Sequence, residues 1–268
     1  MNDMNLGVVF RPQSPPERLR DVALAAEAYG VGELWLWEDC FLEGGLTTAA
    51  AALAWTERLK VGVGLLPVPL RNPAVAAMEI ATLARMFPGR FLPGLGHGVL
   101  EWMAQVGARV PSPMTLLREH ATAVRDLLHG RTVDVDGRFV HLDGVALDWP
   151  PREVPPILIG ARGPKTVRLA GEIADGVLLD SGLTVAQVRE ARAQAEEGRA
   201  AAGRTGDFRT VVYLELDATA GGLAEQVEEH ARAFSAAGAD TVVFQATGEA
   251  PDPEPLLEAC GRLAGRAA

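Results

Sequence analysis

Residues 60–96 read KVGVGLLPVPLRNPAVAAMEIATLARMFPGRFLPGLG. An apolar run with interspersed glycines, Lys60–Leu66, gives way to a helical pattern over Pro73–Met86, and a second apolar run follows at Phe91–Gly96. Strand, helix and strand in so short a span is the repeat of a parallel sheet. The same alternation continues in both directions. Upstream, the spacing predicts strands at Leu6–Phe10 and Glu33–Trp37, with helices at Pro16–Tyr29 and Leu46–Thr56. Downstream it predicts strands at Pro156–Gly160, Asp175–Asp180, Thr210–Leu216 and Thr241–Gln245. Helical patterns fall at Leu116–Leu128, Pro164–Gly171, Val185–Ala202, Leu223–Ala236 and Glu254–Leu263. Eight strands, each followed by a helix, match a (β/α)8 TIM barrel, whose usual size is about 250 residues. A doubly wound open sheet shares the local periodicity and is the competing architecture.

Boundary residues agree with the alternation. Ser112-Pro113 places an N-cap residue before an N1 proline, and Pro73 and Pro164 sit just inside helix starts, where a missing N–H costs nothing. Gly30 and Gly238 follow helices where a left-handed residue is wanted. One insertion interrupts the pattern between the fourth helix and the fifth strand. Thr132–Leu142 reads TVDVDGRFVHL, two alternating runs around Asp136-Gly137, the dipeptide of a type I′ hairpin. No repeat or linker divides the chain, so residues 1–268 are expected to form one domain.

Composition narrows the function. Hydrophobic residues make up 48% and charged residues 22% of the chain, as in ordinary globular proteins. The formal charge of −10 repels phosphate backbones and anionic lipid, which argues against nucleic-acid and membrane-surface roles. No apolar run reaches the roughly 20 residues of a membrane span, and MNDMNLGVVFRP lacks a signal-peptide layout. Two cysteines, Cys40 and Cys260, make no disulfide framework. These features point to the cytoplasm.

In a barrel, chemistry gathers where strands end. Strand two ends Leu34-Trp35-Leu36-Trp37-Glu38-Asp39. With the leucines turned inward, Glu38 would line the mouth, where adjacent carboxylates can anchor a heterocycle or move a proton. The alternative is a helix cap or an arginine salt bridge. Strand three carries Gly62 and Gly64, and strand four runs into Gly94-Leu95-Gly96-His97-Gly98. Glycines at these places mark a bulge or a close approach by backbone or ligand; a tight turn is the plainer reading. His97 is the histidine at a strand end, and no histidine pair has metal-ligand spacing, so no metal is expected. Strand five ends Gly160-Ala161-Arg162-Gly163-Pro164-Lys165, a small-residue loop opening a helix. Backbone N–H groups, the helix dipole and two cations make a phosphate seat the favoured reading; a plain β-to-α turn is the alternative.

Taken together, NLGVVF, AAEAYGVGELWLWED, ERLKVGVGLLPVPLRNP, PGRFLPGLGHG and PPILIGARGPKTVRLAGEIADGV resemble the luciferase-like monooxygenase superfamily. The likeness extends over most of the chain and is strongest to the subfamily that includes methylenetetrahydromethanopterin reductase and glucose-6-phosphate dehydrogenase. The resemblance implies a barrel holding a tricyclic flavin or the deazaflavin coenzyme F-420 at its C-terminal mouth. It implies cofactor contacts from Glu38, from a non-prolyl cis peptide at Gly64-Leu65, from Gly96, His97 and Gly98, and from Gly160, Ala161, Arg162, Gly163 and Pro164. Catalytic positions would be Glu38, Asp39 and His97.

Two departures bear on the substrate. Asp39 stands where the family usually has histidine, and Val99 stands where sugar-phosphate dehydrogenases have glutamate, with Glu101 two positions later. The resulting expectation is hydride exchange between coenzyme F-420 and a small organic substrate. The alternatives are an FMN- and dioxygen-dependent monooxygenase and a non-catalytic flavin-binding protein. A barrel hydrolase would instead need Glu38 facing Asp180 or Glu215 across the mouth. Dimerisation is common among such relatives, and the apolar helix Leu46–Thr56 offers a surface for it.

Overall fold

The computed structural model describes residues 5–267. Strands β1 (Asn5–Phe10), β2 (Glu33–Leu36), β3 (Lys60–Pro67) and β4 (Phe91–Gly96) form one side of a parallel sheet. Strands β7 (Leu158–Ala161), β8 (Gly176–Leu179), β9 (Arg209–Glu215) and β10 (Thr241–Gln245) form the other. The sheet closes on itself: β1 pairs with β2, Val8 opposite Leu34, and with β10, Val8 opposite Phe244. Closure excludes the open doubly wound sheet. The remaining two strands, β5 (Val133–Asp136) and β6 (His141–Val145), make the separate antiparallel hairpin expected between the fourth barrel helix and the fifth barrel strand.

The helices are α1 (Leu19–Ala28), α2 (Gly45–Trp55), α3 (Pro73–Met86), α4 (Leu100–Gln105) and α5 (Pro113–Leu128), then α6 (Pro164–Ile173), α7 (Val185–Ala201), α8 (Leu223–Ala236) and α9 (Glu254–Ala267). The short α4 is an element that the sequence pattern did not single out. Gly30 and Gly238 take φ of 75° and 101°, the left-handed ends expected of them. Ser112 occupies the N-cap position of α5, but its hydroxyl bonds Thr115 Oγ1 at 2.8 Å and caps no backbone N–H.

The hairpin turn differs from the type I′ expectation. A longer loop separates β5 from β6, and Gly137 does not have positive φ. The Glu119 carboxylate accepts N–H bonds from Arg138, Phe139 and Val140 at 2.9, 2.8 and 3.1 Å and so holds the loop open. A Cβ on Gly137 would lie 2.8 Å from that carboxylate, which explains the glycine by close approach rather than by turn type.

Alternation along the strands sorts side chains into two apolar layers. Leu34, Leu36, Val61, Phe91, Ile159 and Phe244 join the layer between sheet and helices. Val9, Trp35, Leu92, Leu158, Leu178, Val211, Tyr213 and Val243 fill the barrel interior, with Trp37 packed on top of them. β2 is thus turned the opposite way from the orientation in which its leucines face inward. Trp35 fits the lumen because glycines stand opposite: Gly62 pairs with it in register, and a Cβ on Gly7 would lie 3.1 Å from its ring.

Candidate active site at the barrel mouth

The orientation of β2 decides what Glu38 and Asp39 do. Glu38 points away from the lumen, so the expectation that it lines the mouth is corrected. Its Oε2 accepts from Arg71 Nη2 at 2.7 Å and from the backbone N–H of Gly45, the first residue of α2, at 3.0 Å. Arg71 Nη1 holds the other oxygen. Arg71 is braced in turn by His120 of α5, whose Nε2–H donates to the Arg71 carbonyl at 3.2 Å. His120 is 1% exposed, and burial pushes its pKa down to about 4. Glu38 therefore ties the β2, β3 and α5 ends together behind the rim. It faces neither Asp180 nor Glu215, which removes the paired-carboxylate geometry of a barrel hydrolase.

Asp39 lies on the mouth side. Its charged neighbours are Arg11 after β1, Asp180 after β8 and Arg162 after β7, and burial raises its pKa despite the two arginines. Trp37, one position before Glu38, also turns in over Tyr213, ring centroids 6.0 Å apart, and the Arg11 guanidinium lies 5.0 Å above its ring. In the loop beyond, both carboxylate oxygens of Glu43 are buried without hydrogen-bond partners, and burial raises its pKa to about 7.

The Gly64–Leu65 peptide is cis, and the β3–β4 register shifts between Val63 and Leu66, so the bulge expected there is present. It swings the Leu65 side chain across the mouth. A Cβ on Gly96 or on Gly160 would strike Leu65 Cδ2, and one on Gly94 would lie 2.7 Å from the Val63 carbonyl. The alternate glycines of β4 therefore make room for the bulged strand and its leucine, rather than opening directly to a ligand. Gly98 has φ of 69°, and a Cβ there would lie 2.9 Å from Pro67. Leu65 becomes a half-buried platform at the centre of the mouth.

His97 also departs from expectation. It follows the outward side of β4, with Nε2 3.4 Å from Thr166 Oγ1 on α6, and burial lowers its pKa. Its ring lies on the helix side of the sheet, between α6 and the start of α5. The strand-five loop has the form expected of an anion seat. After Gly160 and Ala161, Arg162 is 84% exposed and pairs through Nε with Asp180. No side chain caps α6 at Gly163, Pro164 occupies its first turn, and a Cβ on Gly163 would meet nothing within 4 Å. Val99 and Glu101 are exposed around the start of α4.

Several mouth residues were not singled out from the sequence. Tyr213 is 5% exposed, its hydroxyl sits where a Cβ of Gly64 would be, and burial raises its pKa well above the ordinary value. Arg11 Nη1 donates to Glu215 Oε2 at 2.8 Å and to the Ala246 carbonyl at 2.6 Å. Gln245 Nε2 donates to the same Glu215 oxygen at 3.2 Å. Trp37 Nε1, Tyr213 Oη and Gln245 Oε1 are buried and make no hydrogen bond of ordinary geometry. Strand parity was the available signal, since Arg209, Val211, Tyr213 and Glu215 share a face.

A hydrophobic platform, orphaned polar atoms around it and an open helix N-terminus to one side fit a flat ring with a phosphate-bearing tail. Fold and site together define a TIM-barrel protein with its candidate site at the C-terminal mouth of the barrel. The chain belongs to the luciferase-like monooxygenase family, whose model matches residues 4–265. It is 31% identical over 178 residues to 5,10-methylenetetrahydromethanopterin reductase of Methanolobus tindarius, covering 66% of this chain and 54% of that protein. It is 32% identical over 223 residues to the F-420-dependent glucose-6-phosphate dehydrogenase of Nocardia farcinica, covering 77% and 66%. The chain thus spans between about half and two thirds of these relatives' lengths. A solved F-420-dependent secondary alcohol dehydrogenase superposes with a TM-score of 0.83 at 19% identity, over 97% of each chain. At that identity the likeness speaks to the fold. Among the described residues no helix is long and apolar enough to cross a membrane.

Proposed function

We propose that the protein is an oxidoreductase that exchanges hydride between coenzyme F-420 and a small organic substrate. The observation that carries this reading is the mouth itself: Leu65 laid across Gly96 and Gly160, with the uncapped start of α6 and its cations at one side. The family membership and the F-420-dependent relatives support it. A deazaflavin seated there supplies two-electron chemistry that no side chain provides.

The chain's own residues do the rest. Leu65 supports one ring face and excludes water from it. Arg162, Lys165 and the backbone N–H groups of Gly163 and Lys165 bind the phosphate. Asp39 holds or takes the substrate proton, since burial favours its neutral form and it faces the lumen. His97, turned to Thr166, positions α6 against β4. Glu38 fixes the rim through Arg71 and takes no part in the chemistry.

Titration of the purified protein with F-420 and with FMN, followed by cofactor fluorescence, tests the reading. F-420 is expected to bind in the micromolar range or tighter. Arg162→Ala is expected to weaken it about tenfold, a loss of about 1.4 kcal/mol, with stability changed by less than about 0.5 kcal/mol. Preference for FMN with oxygen-dependent turnover would replace the reading by a monooxygenase. Tight F-420 binding without hydride transfer to any substrate would leave a flavin-binding protein.

Self-association is also proposed. The inner face of α2 is used within the subunit, where Leu46, Ala49, Ala52 and Leu53 are buried. Trp55 at its end and Val75, Met78 and Met86 on α3 are exposed. Sedimentation is expected to give twice the 28.4 kDa chain mass, and a monomer would overturn the proposal.

A further inference from the structure

The mouth is electrically two-sided. On the β7–α6 side, Arg162 and Lys165 are exposed above the open end of α6. On the β9–β10 side, Glu215, Asp217 and Glu249 line a cleft of about 560 Å³. An adjoining cleft of about 530 Å³, between the Ser181–Val185 loop and α8, is lined by Glu215, Glu229 and His230. Arg11 offsets Glu215, with which it pairs, so the charge left to meet an incoming anion is that of Asp217 and Glu249. Arg11 Nε is engaged by Gln13 at 3.2 Å, its Nη1 by Glu215 and Ala246, and its side chain is 11% exposed.

Charge alone does not define a ligand; the wall beneath it does. Gln245 is 2% exposed and follows Thr241 and Val243 on the lumen face of β10. Its Nε2 is committed to Glu215, so its Oε1 is left as a buried acceptor with no donor. Turning the amide over would set Oε1 against the Glu215 carboxylate, so the orientation is fixed by its neighbour. The hydroxyl of Tyr213 and the indole N–H of Trp37, which meet each other without a hydrogen bond of ordinary geometry, adjoin this wall. Buried polar atoms are left unpaired where a ligand completes them.

We propose that the β9–β10 half of the mouth, walled by Trp37, Tyr213, Glu215 and Gln245, is the substrate subsite. It takes a small organic molecule that presents N–H or O–H donors and carries no negative charge, an amine or alcohol rather than a phosphate ester or carboxylate. This rests on the cofactor reading, which assigns the cationic half to the coenzyme tail. Donors satisfy Gln245 Oε1 and the free Glu215 oxygen, while an oxyanion meets the exposed carboxylates of Asp217 and Glu249, the Arg11 guanidinium being held by Glu215. A sugar phosphate, the substrate in the name of one relative, is therefore the wrong class for this rim.

The test begins with an F-420 titration. The same protein, with and without the coenzyme, is then titrated with cyclohexylamine, cyclohexanol, cyclohexanecarboxylate and cyclohexyl phosphate, read by tryptophan fluorescence and saturation-transfer NMR. The amine and the alcohol are expected to bind about tenfold or more tighter than either anion. Gln245→Leu is expected to weaken both about five- to tenfold, and Glu215→Gln to weaken the amine alone. Should Gln245→Leu fail to fold, the exposed double variant Asp217→Asn/Glu249→Gln is expected to raise the affinity of the anions. An anion that binds as well as the amine, binding of none of the four, or indifference of the amine and alcohol to a folded Gln245→Leu would overturn the proposal. Failure of F-420 to bind, with the order of the four probes kept, would count against the cofactor reading alone.

Discussion

The two ends of the barrel interior are built from the same strands and treat their polar groups in opposite ways. At the N-terminal end, Glu33 is wholly buried and accepts from Asn5 Nδ2 at 2.6 Å and Trp35 Nε1 at 3.0 Å, and it pairs with Arg209. Arg209 also donates to Thr241 Oγ1 at 2.6 Å, which closes the network. Further along the same β2, β9 and β10, Trp37, Tyr213 and Gln245 leave a buried atom unpaired. The contrast separates structure from function without reference to any relative. A satisfied buried network specifies the fold, and an unsatisfied one at a strand end awaits a ligand.

The largest effect is expected from breaking the closed end. Glu33→Ala leaves Arg209, Asn5 and Trp35 facing a void, and should cost about 3–5 kcal/mol in urea-induced unfolding. Surviving folded protein should bind F-420 as before, because the change is confined to the far end. A cost below about 1 kcal/mol would show that the network is not what holds that end.

A somewhat smaller effect concerns the brace behind the open end. His120 titrates near 4 in the folded protein, well below its ordinary value of 6.5. Between those values the unfolded chain binds a proton that the folded chain refuses, so stability falls as pH drops from 6.5 toward 4. The loss should reach about 3 kcal/mol, and His120→Gln should flatten that part of the stability–pH curve. A curve of unchanged slope would detach His120 from the acid sensitivity.

The smallest effect is the sharpest for the comparison. Tyr213→Phe removes a hydroxyl that meets the Trp37 side chain without a hydrogen bond of ordinary geometry, so stability should change by less than about 1 kcal/mol in either direction. Binding of F-420 or of the alcohol probe should nevertheless weaken severalfold. A stability loss of the size predicted for Glu33→Ala would mean that the upper hydroxyl is structural too.

Much of the fold was legible because barrel strands and helices carry their own punctuation. Phe91–Gly96, Thr241–Gln245, Pro73–Met86 and Leu223–Ala236 fall where apolar period, proline and glycine put them. The small-residue loop after β7 was legible for the same reason, being a strand end, small residues and a helix start in order. The facing of β2 was not. Leucine and tryptophan alternate, so both of its faces are apolar, and the choice is made by Gly7 and Gly62 on neighbouring strands. From that facing follow the outward turn of Glu38 to Arg71 and the placing of Asp39 on the mouth side. The hairpin turn was misread for a similar reason, because Glu119, distant in sequence, overrides the local preference of Asp136-Gly137.

Hydrogen–deuterium exchange with and without F-420 addresses the contrast between the two ends in one measurement. The account predicts that added coenzyme slows exchange in the loops after β2, β4, β7 and β8, above all at residues 162–166, and leaves the loops entering those strands unchanged. Protection at the entering loops, or none anywhere at saturating coenzyme, would contradict it.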